Sequence, residues 1–138
     1  MGNKGFTLME LTIVLALLAI IAAILIPMFL ITTDRARLRS DIQSARVIQN
    51  AMDLYQVERG RTVEGTTVDV IIQNLNTAGY LELRNANIQT QNANWIQDTT
   101  LGIVVVDIQG SPDSVHRAYS NLPEAEQAMV RNGRSGGN

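Results

Sequence analysis

A single carboxylate inside an apolar run is the first feature with chemical content. Between residues 6 and 33 the chain carries one ionisable side chain, Glu10, and residues 11–31 read LTIVLALLAIIAAILIPMFLI without a charge. Placing an acid at the centre of a membrane helix costs about 2.5–3.5 kcal/mol, and such residues normally have a counter-charge or a function. The bland alternative is an acid close enough to the end of the span to stay among wet headgroups, which its nearness to the N-terminus permits. Elsewhere the chemistry is thin. With no cysteine there is no disulfide, thiolate metal site or thiol nucleophile. His116 is the sole histidine and lies beside Arg117 on a predicted helix, so it reads as solvent-facing. Asp98, Asp107 and Asp113 are near one another in sequence but lack the ligand spacing of a calcium loop. No nucleophile–base pair, phosphate loop or metal cluster stands out. The sequence therefore predicts no catalytic residue, metal or cofactor, and offers no case for direct nucleic-acid binding.

The elements that must position Glu10 follow from periodicity. At 1.5 Å per residue, about 20 apolar residues cross the ~30 Å hydrocarbon core, so the run is long enough to span a membrane. It is too long for a secretory signal, and it passes without a turn signal into an amphipathic pattern. There Leu38, Ile42, Ala45, Ile48, Met52 and Tyr55 recur at steps of three and four, while Arg37, Arg39, Asp41, Arg46 and Asp53 fall elsewhere. The pattern predicts one helix from Phe6 to about Arg59, ended by Gly60 as its cap. Thr67 is placed to cap a short helix stopping at Ala78-Gly79, with Tyr80-Leu81 packing back on the long helix. Residues 88–98 alternate weakly, and residues 101–109, LGIVVVDIQ, form the best strand. Ser111, Pro112 and Asp113 read as N-cap, first helical position and first-turn acid of a helix to about Asn121, and Pro123-Glu124 restarts a helix to Arg131. The expected fold is α+β, a long N-terminal helix on a small globular domain with a short antiparallel sheet and short helices. The expected organisation is a leader at 1–5, a span at 6–33, an amphipathic continuation at 34–60, a globular domain at 61–132 and a flexible tail at 133–138.

The segment from Lys4 to Pro27, KGFTLMELTIVLALLAIIAAILIP, resembles the N-terminal signature of bacterial type IV pilins and pseudopilins. A basic leader, a Gly5-Phe6 junction, an acid at Glu10 (fifth residue after the junction) and Pro27 (twenty-second) occur together, a combination far rarer than an apolar segment alone. The resemblance covers about thirty residues and leaves the other hundred unaddressed. It implies a cut after Gly5 by a prepilin peptidase on the cytoplasmic side and methylation of the amine freed on Phe6. It implies that Glu10 pairs with the Phe6 amine of an adjacent subunit and so sets axial register. Pro27, which lacks an N–H and crowds the carbonyl of Ala23, predicts a kink or a melted stretch over residues 22–27. The implied partners are further copies of the chain in a helical filament, the peptidase and methylase, an assembly platform, and the membrane before assembly. The implied location is the cytoplasmic membrane, single-pass with the N-terminus inside, and then an extracellular filament or the cell envelope.

Three readings compete. The favoured one is a type IV pilus subunit serving adhesion, motility or attachment. The alternative is a pseudopilin of a type II secretion or DNA-uptake machine, and the third is a membrane-anchored protein of another kind. Arg35, Arg37 and Arg39 follow the span, and by the positive-inside rule they would face the cytoplasm, where they could bind anionic lipid. The resemblance implies the opposite orientation and is followed here, with these arginines read as a solvated face paired with Asp34 and Asp41.

Overall fold

One helix carries the whole molecule. The computed structural model describes residues 5–98 and 100–133, so the expectations for most of the leader and of the tail lie outside the described residues. Helix α1 runs Leu8–Arg59, 52 residues, or about 78 Å. It ends where Gly60 takes φ 67° and returns its N–H to the Gln56 carbonyl at 2.9 Å. That left-handed conformation suits glycine because any side chain there would be strained.

The two halves of α1 differ in what covers them. Every residue from 5 to 30 is exposed, whereas Leu38, Ile42, Ala45, Ile48 and Ala51 are buried and Met52 and Tyr55 half-buried. This stripe meets two apolar clusters. Toward the C-terminal end, Ala45, Ile48 and Ala51 pack with Val68, Ile71, Ile72 and Leu75 of α2 (Val68–Thr77), and with Leu81 and Val104. Nearer the apolar half, Leu38 and Ile42 pack with Val106, Ile108, Val115, Leu122 and Val130. Strand β1 (Asn94–Asp98) pairs antiparallel with β2 (Ile103–Asp107), and Trp95, opposite Val106, touches both clusters while its indole N–H donates to Ala86 O at 2.9 Å. Helix α3 (Asp113–Ser120) closes the second cluster.

Several expectations change. The segment after Pro123 gives only one helical turn, α4 (Glu124–Gln127), and then a two-residue strand, β3 (Val130–Arg131), parallel to β2. The sheet is therefore mixed, in order β1-β2-β3. The outer edge of β2 explains this: Val106 N and Ile108 N need acceptors and find them in Met129 O (3.0 Å) and Arg131 O (3.1 Å). Where β3 is too short to reach, Gln49 of α1 accepts from Val104 N at 3.2 Å. Helix α3 begins one residue late, with Pro112 in the capping position, because the Ser111 hydroxyl is spent on Gln91 O at 2.8 Å. Thr67 caps α2 by position, without a side-chain bond.

Asp41 is the larger correction. Instead of pairing with an arginine it is fully buried, its two oxygens accepting from Gln89 N and Thr90 N at 2.8 Å each. Arg37 does meet Asp34, at 3.6 Å, but Arg39 crosses to Glu126 of α4 at 2.9 Å. His116 is also buried rather than solvent-facing, with Nδ1 3.0 Å from Asn132 Oδ1 just past β3. The strand that replaces the expected helix over 124–131 is what brings Asn132 to the ring.

Asp98 and Asp107 stand at opposite ends of the β1–β2 ladder, opposite Ile103 and Asn94 respectively, and each serves its own turn. Amides of Leu101 and Thr100 donate to Asp98 and hold its carboxyl below the usual aspartate range. A depressed carboxyl contributes stability above its ordinary titration range and loses it as pH falls through the folded value. Amide resonances of Thr100 and Leu101 should therefore report a midpoint below that of an ordinary aspartate, with the hairpin loosening on further acidification. Asp41→Leu should lower the stability of the detergent-solubilised chain by about 2–4 kcal/mol, because two loop amides lose their charged acceptor. A chemical melt compared with Asp53→Leu, at an exposed position, checks this.

Candidate functional site

Helix α1 begins at Thr7, which has extended backbone (φ −78°, ψ 150°) and makes a capping box with Glu10. Glu10 N donates to Thr7 Oγ1 at 3.2 Å, while Glu10 Oε2 accepts from Thr7 N at 2.9 Å and Thr7 Oγ1 at 3.0 Å. The reciprocal bonds satisfy amides that a helix N-terminus otherwise leaves open. The residues Thr7-Leu8-Met9-Glu10 carry this pattern openly, but an acid read only as a charge in an apolar run conceals its role as a cap.

The box leaves Glu10 incompletely satisfied. Both bonds fall on Oε2, and among the described residues no cation lies within ion-pair distance of the carboxylate. Other polar side chains of the apolar half behave differently. Thr12 donates to Met9 O at 2.9 Å, Thr32 to Met28 O at 3.0 Å and Thr33 to Phe29 O at 2.9 Å, so each is satisfied by its own helix. Glu10 alone in this half holds a charge and an oxygen available to an outside group.

Gly5 and Phe6 precede the cap in non-helical backbone, and Phe6 is 85% exposed. A side chain added at Gly5 would meet nothing within 4 Å among the described residues, and the fold itself places no demand for glycine there. Pro27 lies inside α1, about 25 Å along the axis from Glu10, and helical conformation runs through it. The structure thus brings Gly5, Phe6 and Glu10 together at one end of the helix and leaves Pro27 well apart. Thr7→Val should remove the cap and destabilise the first turn by about 1 kcal/mol, seen as faster amide exchange at residues 8–11 with residues 38–51 unchanged.

Residues 1–26 match the family model for the prokaryotic N-terminal methylation motif. Among curated proteins, the chain is similar to prepilin peptidase-dependent protein A of Clostridium perfringens, 33% identical over 72 residues that cover 52% of this chain and 51% of the relative. It is also similar to type II secretion system core protein G of Escherichia coli, 22% identical over 90 residues covering 58% and 62%. A third relative is the type IV major pilin protein PilE1 of Neisseria gonorrhoeae, 38% identical over 65 residues covering 47% and 39%. The chain spans about half the length of the curated relatives it matches. No solved structure matches it. By these similarities, the chain carries a prepilin-type N-terminal methylation motif and resembles type IV pilin and type II secretion pseudopilin proteins.

Proposed function

We propose that the chain is a structural, non-catalytic subunit of a type IV pilus. Residues 6–33 hold the precursor in the cytoplasmic membrane with its N-terminus in the cytoplasm. A prepilin peptidase cuts between Gly5 and Phe6, the Phe6 amine is methylated, and an assembly platform packs the product into an extracellular helical homo-oligomer used for adhesion, motility or attachment. The observation that carries this reading is the exposure of every residue from 5 to 30 along a continuous apolar helix that begins with the methylation motif. Lipid tails suit that surface in the stored precursor, and the helices of neighbouring copies suit it afterwards.

Glu10 gives the reading its register. Its unneutralised carboxylate and the amine created at Phe6 form a complementary pair between adjacent copies, strengthened by the low dielectric of an apolar core. Pro27 is the position at which the helix would yield by kinking or melting during packing.

A pseudopilin role in a type II secretion machine is the second reading. The similarity to core protein G supports it, being at 90 residues the longest of the three alignments, though at 22% identity against 38% for the pilin.

Intact mass and N-terminal mapping of material sheared from cells tests the proposal. A chain starting at methylated Phe6 in long surface filaments supports a pilus, whereas the same processed chain retained in the envelope supports the pseudopilin. An intact Met1 confined to membranes overturns both. Gly5→Leu should accumulate full-length precursor with an unchanged melting temperature, because the surrounding fold leaves the side chain room. Glu10→Leu should insert and be trimmed but yield few filaments when expressed alone, and normal filament yield would remove the Glu10–Phe6 pairing.

A further inference from the structure

Three arginines, Arg35, Arg37 and Arg39, follow the apolar run within a few residues, and the structure treats them unequally. Arg37 is neutralised by Asp34 at 3.6 Å and Arg39 by Glu126 at 2.9 Å. Asp41, the next acid along the helix, is committed to the amides of Gln89 and Thr90. Arg35 is left without an ion-pair partner among the described residues, and its Nε is buried with no acceptor. A guanidinium does not shed its proton, so this charge persists.

We propose that Arg35 binds the phosphate of an anionic phospholipid headgroup while the chain is stored in the membrane. The inference rests on residues 6–33 being the span. Side chains of an α-helix lean toward its N-terminus, so Arg35 leans over the turn that carries Ile31 and Thr32, on the side of the span. Its Cα lies about 6 Å beyond Ile31, where headgroups border the hydrocarbon. The residue is half-buried, with Nε covered by the protein, so the terminal nitrogens of its planar guanidinium are the atoms that can meet phosphate oxygens at the interface. Entry into a filament would then require Arg35 to exchange lipid phosphate for another acceptor.

Arg46 provides an internal comparison. It too lacks an ion-pair partner among the described residues and is exposed, but it stands about 16 Å further along the helix than Arg35, beyond a physiological Debye length.

The test uses the full chain in nanodiscs of about three parts phosphatidylcholine to one part phosphatidylglycerol, an anionic lipid. Lipids retained by the released protein are counted by native mass spectrometry. Wild type and Arg46→Gln should retain phosphatidylglycerol several-fold over phosphatidylcholine, and Arg35→Gln should lose the preference. Undiminished preference in Arg35→Gln overturns the proposal, and equal loss in Arg46→Gln overturns it in favour of diffuse charge. Loss of the wild-type preference in millimolar inorganic phosphate overturns the lipid assignment in favour of a general anion site. A wild type without preference overturns it too, and leaves a neighbouring subunit's carboxylate as the acceptor to seek. Insertion into the nanodisc is scored separately: failure to insert defeats the span reading, whereas insertion without lipid preference defeats only the role of Arg35.

Discussion

An α-helix can hide its backbone from any solvent, but it cannot hide an apolar surface that its own chain leaves uncovered. Helix α1 has such a surface over residues 8–30 and, in the same helix, an apolar stripe over residues 38–51 that the globular domain covers. The rest of the molecule follows from this division. Backbone hydrogen bonds are made within the helix except at Pro27, which gives the Ala23 carbonyl no N–H, so the first half suits hydrocarbon or a bundle of like helices. The second half needs a partner of its own, and the chain supplies one from residues 61–133.

The joint between helix and domain is mostly apolar. Leu38, Ile42 and Ile48 are almost wholly buried, and full burial of such a side chain contributes about 1.5–3 kcal/mol. The Arg39–Glu126 pair is partly exposed and contributes at most about 1 kcal/mol. Polar contacts supply specificity. Asp41 fixes where the segment before β1 crosses the helix, and Gln49 finishes the edge of β2 where β3 ends. Trp95, wedged between both clusters, joins them into one core.

What was legible in the sequence is what local periodicity encodes. The apolar run, the stripe from Leu38 to Tyr55, the glycine cap at Gly60 and the β-branched run in β2 each announce their element within a few residues. The N-terminal signature was legible as a motif, and residues 1–26 match the family model for N-terminal methylation. Contacts between distant segments were not legible. Asp41 meets amides almost fifty positions away, and no helical pattern distinguishes a charge that faces loop N–H groups from one that faces water. Val130 and Arg131 read as the end of the helix that Pro123-Glu124 starts, and they form a strand because β2 has bare amides beside them. His116 followed the same error, since its neighbour Asn132 is placed by that strand.

The interdigitated stripe also makes α1 a ruler for the outside of any assembly built from it. Leu38, Ile42, Ala45, Ile48 and Ala51 fit their pockets in one register, and no turn or loop separates them from the exposed half. A slip of the domain by one helical turn, about 5.4 Å, would drag the buried carboxylate of Asp41 away from its amides and misalign every apolar knob. An axial offset chosen by the inner helices would be carried by α1 to the outer surface, altered only by whatever the helix yields at Pro27. The spacing of exposed loops along a fibre would then be written by the helix and its one weak point, leaving the loop sequences free to vary without disturbing the lattice that carries them.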